Sequence, residues 1–320
     1  MTLTPSPQHS AELTAFQLLR GPHGPAWRIG AAIVIAGAAW LGGLAFLAQY
    51  RETEVWALFA PLGAPLTVFL ACAAFTAVTC VAGLVVRAWG VAALGAAATA
   101  YLAGFYLSGF LYVAYPPDFD IPLASLDEAI GFTISRLWYL IPSVLALGAA
   151  ALVFRGGPRP ELGLGDWRVR ARDASVKEEM KPYYRRFLGF VIVAFIFALI
   201  LQAGVGFEPV MSGRLFALAP AILLCAAVNA TVEEVIYRGF LQPAYMRVAG
   251  VGAGIWIGAL HFGMAHWGMS VGVLAALPIS LLIGVGAVFW GKAAYETRGL
   301  SWPIAAHFLI DVAVMSAYFV

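Results

Sequence analysis

NATVEEVIYRGF (residues 229–240) sets two glutamates side by side and an arginine four residues later, inside an apolar run reaching from about 215 to 246. If that run is a membrane helix, none of its three charges can face lipid. A charge at the bilayer centre costs at least about 2.5 kcal/mol even on the most lenient insertion scale. Glu233, Glu234 and Arg238 must then turn toward other helices, and the fold follows from whether the rest of the chain offers them.

It does. The chain has 320 residues, 62% hydrophobic and 11% charged, where a soluble domain carries about 25% charge. The apolar residues come in runs of helical membrane length, not in the short alternating segments of an outer-membrane barrel. The expected fold is all-α, a polytopic transmembrane bundle of about nine spans: 28–49, 57–86, 89–114, 130–154, 188–206, 215–246, 251–267, 272–292 and 301–319. The second and sixth exceed a minimal span and must tilt, kink or project. Cys72, Cys80 and Cys225 all fall within spans, with no CxxC spacing to suggest metal or redox chemistry. The first span is read as a retained helix, not a cleaved signal peptide.

Charge divides the chain. Nine of its 19 basic residues lie between Arg155 and Arg186, whereas 115–128 holds Asp118, Asp120, Asp127 and Glu128 and no Lys or Arg. Basic short loops remain cytoplasmic, which predicts an N-terminus inside and a C-terminus outside. The segments expected are a cytoplasmic tail (1–27), an accessory four-span region (28–155), a basic cytoplasmic loop (156–187) lying against anionic lipid, and a C-terminal core (188–320). A nucleic-acid partner is not expected. The accessory spans hold one ionisable residue well inside, Arg136.

Helical spacing sorts the buried charges. Glu234 and Arg238 are four apart, the favourable order for an ion pair on one face. Asn229, Glu233 and Tyr237 form the adjacent stripe, leaving Glu233 free to face something else. Gly250, Gly254 and Gly258 form a small-residue ridge for close helix approach, and the same step continues to Phe262 and His266. His261 points elsewhere and is expected to bond a nearby carbonyl. In the last span His307 and Asp311 share a face, after an interfacial start at Trp302 and Pro303. At 1.5 Å per residue, Glu233 lies roughly 21 Å from Arg247, His266 about 22 Å from Val251 and Asp311 about 15 Å from Ser301. Carboxylates and imidazoles from three helices thus converge at comparable depth.

These residues resemble the CAAX protease and bacteriocin-processing (CPBP, or Abi) family of intramembrane endopeptidases, whose motifs EExxxR, FxxxH and Hxxx(N/D) stand here as Glu233-Glu234-Val-Ile-Tyr-Arg238, Phe262-Gly-Met-Ala-His266 and His307-Phe-Leu-Ile-Asp311. The resemblance covers 188–320. It implies hydrolysis of a peptide bond in a membrane-associated protein or peptide. Glu233 would act as general base on a water shared with His266, Glu234 and Arg238 would brace the site, and His307 and Asp311 would bind the oxyanion or Asp311 would orient His307. It favours a cofactor-free glutamate protease over a zinc enzyme using Glu233, His266 and His307. A scaffold or immunity protein binding a partner in the cavity, and an ion-coupled transporter, are the alternatives. Abundant Ala, Gly and Arg with scarce Lys point to a bacterial plasma membrane and away from a prenylated substrate.

Overall fold

A computed structural model describes residues 26–50, 54–114, 126–153, 162–166, 170–172, 180–182, 214–267 and 273–316. The span expected at 188–206 lies outside them.

The first helix, α1 (Ala26–Tyr50), precedes two short 3-10 turns and α2 (Pro65–Val85). The long second span is therefore broken. Gly63 adopts φ 113°, and Pro65 opens α2 at the helix position where its missing N–H costs nothing. Next come α3 (Trp89–Ala114) and α4 (Leu126–Val153). The basic loop is not wholly irregular: β1 (Arg170–Arg172) and β2 (Met180–Pro182) pair antiparallel.

The sixth span is one long rod made of three parts. It comprises α5 (Arg214–Glu234), a π-helical segment (Val235–Leu241) and α6 (Gln242–Ala249). Then follow α7 (Val251–Ala265), α8 (Val273–Thr297) and α9 (Ser301–Ser316). Among the described residues six helical stretches are long and apolar enough to cross a membrane, and α7 and α9 are shorter apolar helices. An all-α polytopic bundle is what the hydropathy predicted.

Turns between spans are tight because single residues take left-handed backbone. Arg87 (φ 57°) separates α2 from α3, Gly250 (φ 86°) separates α6 from α7, and Arg298 (φ 54°) ends α8. Short turns make antiparallel neighbours, so α2 packs on α3, α6 on α7 and α8 on α9. Extended chain at 162–166 crosses the last turn: the Leu300 amide donates to the Gly163 carbonyl at 2.8 Å and the Asp166 amide to the Thr297 carbonyl at 2.7 Å. Trp302 and Pro303, expected at an interfacial start, are buried in protein.

One apolar core spans both halves of the chain. Ile35, Phe46, Tyr101, Leu102 and Leu147 from the first four helices join Ile236, Tyr245, Phe262 and Trp290 from the rest. Other large apolar side chains, such as Val78, Phe110, Leu145 and Phe289, point outward. That is the pattern of a bundle whose exterior is lipid, since the hydrocarbon accepts apolar groups as readily as a core does.

Candidate active site

The rod from α5 to α6 supplies the first group of residues. Arg238 Nη1 donates to Glu234 Oε1 at 2.8 Å, with both side chains essentially inaccessible. The guanidinium also reaches the Ala287 carbonyl at 3.5 Å. It lies 4.2 Å from the Phe262 ring centroid and 5.2 Å from that of Trp290, so aromatic faces take up the rest of its charge. The pair inferred from spacing is present, and it occurs where the backbone departs from α to π geometry. Single π turns recur at functional sites because they displace side chains from the ordinary helical register.

The helix α9 adds His307, whose Nδ1–H donates to the same Glu234 oxygen at 2.9 Å. Its Nε2 then faces Glu233 Oε2 at 3.8 Å and Asp311 Oδ1 at 3.4 Å. Trp290 stacks on the imidazole, with centroids 4.9 Å apart and planes inclined by 15°. Asp311 Oδ2 accepts from Asn229 Nδ2 at 3.0 Å. The α5–π rod and α9 thereby join Asn229, Glu233, Glu234, Arg238, His307 and Asp311 in one network. Glu234 has two charge-assisted partners on Oε1 while its Oε2 is buried without a hydrogen bond, and Glu233 Oε2 is likewise buried without one.

His266 stands beside this network, not in it. It caps α7, and its Nδ1–H donates to the Phe262 carbonyl at 2.9 Å, which fixes the tautomer and leaves Nε2 as an acceptor. No hydrogen bond joins it to Glu233. Phe262 is the link, with its ring 4.8 Å from that of His266, 5.5 Å from that of His307 and 5.0 Å from that of Tyr237. Among the described residues no three His, Cys, Asp or Glu side chains are grouped to hold a metal ion.

One sequence expectation changes here. His261 bonds the Tyr245 hydroxyl (2.8 Å to Nδ1), not a carbonyl, because the α6–α7 hairpin sets the two side chains face to face. The glycine ridge serves that same hairpin. A Cβ at Gly254 would meet the backbone of Met246, and Gly258 packs on Tyr245 and Gln242. The close approach to α8 is made by Gly263, which spacing did not single out. Sequence reasoning also missed Trp290, Ala287 and Tyr101, whose hydroxyl lies 2.9 Å from that of Tyr237. Nothing in their local runs marks them, because the contacts that place them beside the site are distant in the chain.

A family model described as type II CAAX prenyl endopeptidase Rce1-like matches residues 214–313. Over these residues the chain is similar to that family. The match takes in all three motifs of the CAAX protease and leaves α1–α4 outside. No curated protein and no solved structure matches the chain. Glu233, His266, His307 and Asp311 all fall within the matched residues.

Proposed function

We propose that the protein is an intramembrane endopeptidase in which Glu233 activates the hydrolytic water. The observation carrying this reading is the contrast between the two glutamates. Each keeps one buried oxygen without a partner. Glu234, however, is committed through its other oxygen to Arg238 and His307 and is wholly inaccessible, while Glu233 makes no hydrogen bond among the described residues, faces His307 and retains some exposure. A buried acceptor without a partner is an uncommon and costly feature unless a ligand or water uses it.

The chemistry needs a base because water is a poor nucleophile until its proton is removed in the transition state. A water donating one hydrogen to Glu233 and the other to His266 Nε2 would turn its lone pairs toward a substrate carbonyl. Glu233 takes the proton as the oxygen bonds to the carbonyl carbon, and the tetrahedral intermediate carries the negative charge on its oxygen. His307 Nε2, when protonated, lies on the side where that charge develops. Collapse breaks the C–N bond, and the proton held by Glu233 passes to the leaving amine. Asp311, accepting from Asn229 and facing His307, is the positioning residue in this scheme and not an oxyanion donor, since a carboxylate has no proton to give. The mechanism requires no metal. The substrate is a membrane-associated peptide or protein.

The test is cleavage of a peptide library by protein reconstituted in liposomes, read by mass spectrometry, with wild type and Glu233→Gln compared with and without a chelator. Products formed only by the wild type, and unaffected by chelation, are expected. Equal products from both proteins would remove Glu233 as the base, and loss on chelation would turn the reading toward a metal.

A further inference from the structure

Trp290 belongs to none of the three motifs and has no part in the scheme above, yet its ring lies against two charged groups of the network. The indole stacks on His307, with centroids 4.9 Å apart and planes 15° from parallel, and its centroid lies 5.2 Å from the Arg238 guanidinium carbon. The backbone of α8 is pinned on both sides of it. Three residues earlier the Ala287 carbonyl accepts from Arg238 at 3.5 Å, and one residue later the Gly291 carbonyl accepts from Gln242 Nε2 at 2.9 Å. A side chain at Gly291 would run into the Gln242 amide, so α8 sits tight on the rod at this level. The buried indole therefore has a fixed base.

His307 needs such a base. Its Nδ1–H bond to Glu234 at 2.9 Å fixes one ring atom, and rotation of a histidine ring about its second side-chain torsion is soft. The faces of the ring decide the rest. Trp290 covers one face nearly parallel, and the Phe262 ring stands 5.5 Å away at 87°. In that plane Nε2 lies 3.4 Å from Asp311 Oδ1 and 3.8 Å from Glu233 Oε2. Turning the ring about Nδ1 would swing Nε2 out of this place. Charge makes a second demand. In the scheme above His307 carries a proton on each nitrogen when it meets the oxyanion, and Arg238 shares its acceptor, Glu234 Oε1. Two cations on one carboxylate oxygen repel each other at short range. The indole, whose face attracts a cation more strongly than any other aromatic side chain, lies against both.

We propose that Trp290 is a positioning residue of the hydrolysis: stacked on His307, it holds the imidazole in the plane that aims Nε2 at the developing oxyanion and takes up part of the imidazolium charge. The inference rests on the peptidase reading and adds to it a residue from a helix that carries no motif. The stack matters most where His307 meets the oxyanion, in the transition state. Its loss therefore acts on turnover and not on substrate affinity.

The experiment uses the full chain in liposomes, with Trp290→Phe, which keeps a smaller aromatic face, and Trp290→Leu, which keeps apolar bulk but no face. Kinetics are measured on a peptide that the wild type cuts. Trp290→Leu is expected to lower kcat about tenfold or more and to leave KM within about twofold. Trp290→Phe should keep an intermediate kcat, and melting temperatures show whether either variant has lost its fold. A second readout needs no substrate. An imidazolium quenches the fluorescence of an indole stacked on it, so His307→Gln is expected to raise tryptophan emission on the wild-type background but not on the Trp290→Phe background. Unchanged kcat in Trp290→Leu, or a rise in KM without a fall in kcat, would overturn the proposal. So would equal losses in the two variants that follow their melting temperatures, which assign the ring to packing alone, or emission indifferent to His307. Absence of cleavage by the wild type, with the emission change intact, would instead count against the peptidase reading and leave Trp290 as the residue that holds His307.

Discussion

Glu233 and Glu234 are chemically identical neighbours with opposite surroundings. One oxygen of Glu234 receives Arg238 and His307, at 2.8 and 2.9 Å, and its side chain is wholly inaccessible. Glu233 retains 12% of its side-chain exposure. Substitution should separate the two. Glu233→Gln is expected to leave the fold intact and lower turnover by about 10²-fold or more, the usual contribution of a general base. Arg238→Met should act on stability, because it strands a carboxylate in apolar surroundings. A cost of about 3–5 kcal/mol is expected, seen as a lower melting temperature in detergent. If Arg238→Met melts like the wild type, Glu234 must have another source of compensation.

At the scale of the element, the helix termini and crossings are set by small residues at particular contacts. A side chain at Gly263 would run into the backbone of Ser280 and Gly284 on α8, whereas one at Gly258 would meet Tyr245 at an ordinary 3.5 Å. Gly263→Ala should therefore push α7 from α8 and cost about 1–3 kcal/mol, the range for overpacking, while Gly258→Ala stays close to neutral. Thermal unfolding of the two variants tests the pair. Similar melting points would mean that α7 shifts freely against α8. The π segment is the other device at this scale, setting Tyr237 and Arg238 between α4, α7 and α8 directly after the two glutamates.

For the whole molecule, the accessory helices form the wall of the candidate site. Trp40 Nε1 donates to the Met264 carbonyl at 2.8 Å, two residues before His266, and its ring stacks on Trp267. Tyr101 reaches Tyr237 from α3. Because Tyr101 and Tyr237 lie in the same core as Phe262, a fragment beginning at residue 188 is expected to lose both activity and a defined melting transition. Restored cleavage by that fragment alone would show the first four spans to be dispensable. Tyr101→Phe offers a milder probe. Removing one hydroxyl from a buried pair should cost about 1 kcal/mol, with a smaller drop in melting temperature than for Arg238→Met.

Local information was sufficient for much of this. Hydropathy marked the chain as an all-α polytopic bundle, since lipid admits only apolar runs with internally satisfied backbone. Spacing of four paired Glu234 with Arg238 and put His307 and Asp311 on one face, because the helical period is a property of the chain itself. The break at Gly63 and the π segment after Glu234 were not legible, as both are settled by what packs against the backbone. Nor was the meeting of His307 with Glu234, which joins residues 73 apart, or the place of Trp290 above the imidazole. Amino-acid order by itself determined the membrane fold and which side chains could not face lipid. Only the tertiary structure decided which of them met, because partners far apart in the chain are chosen by packing and not by period.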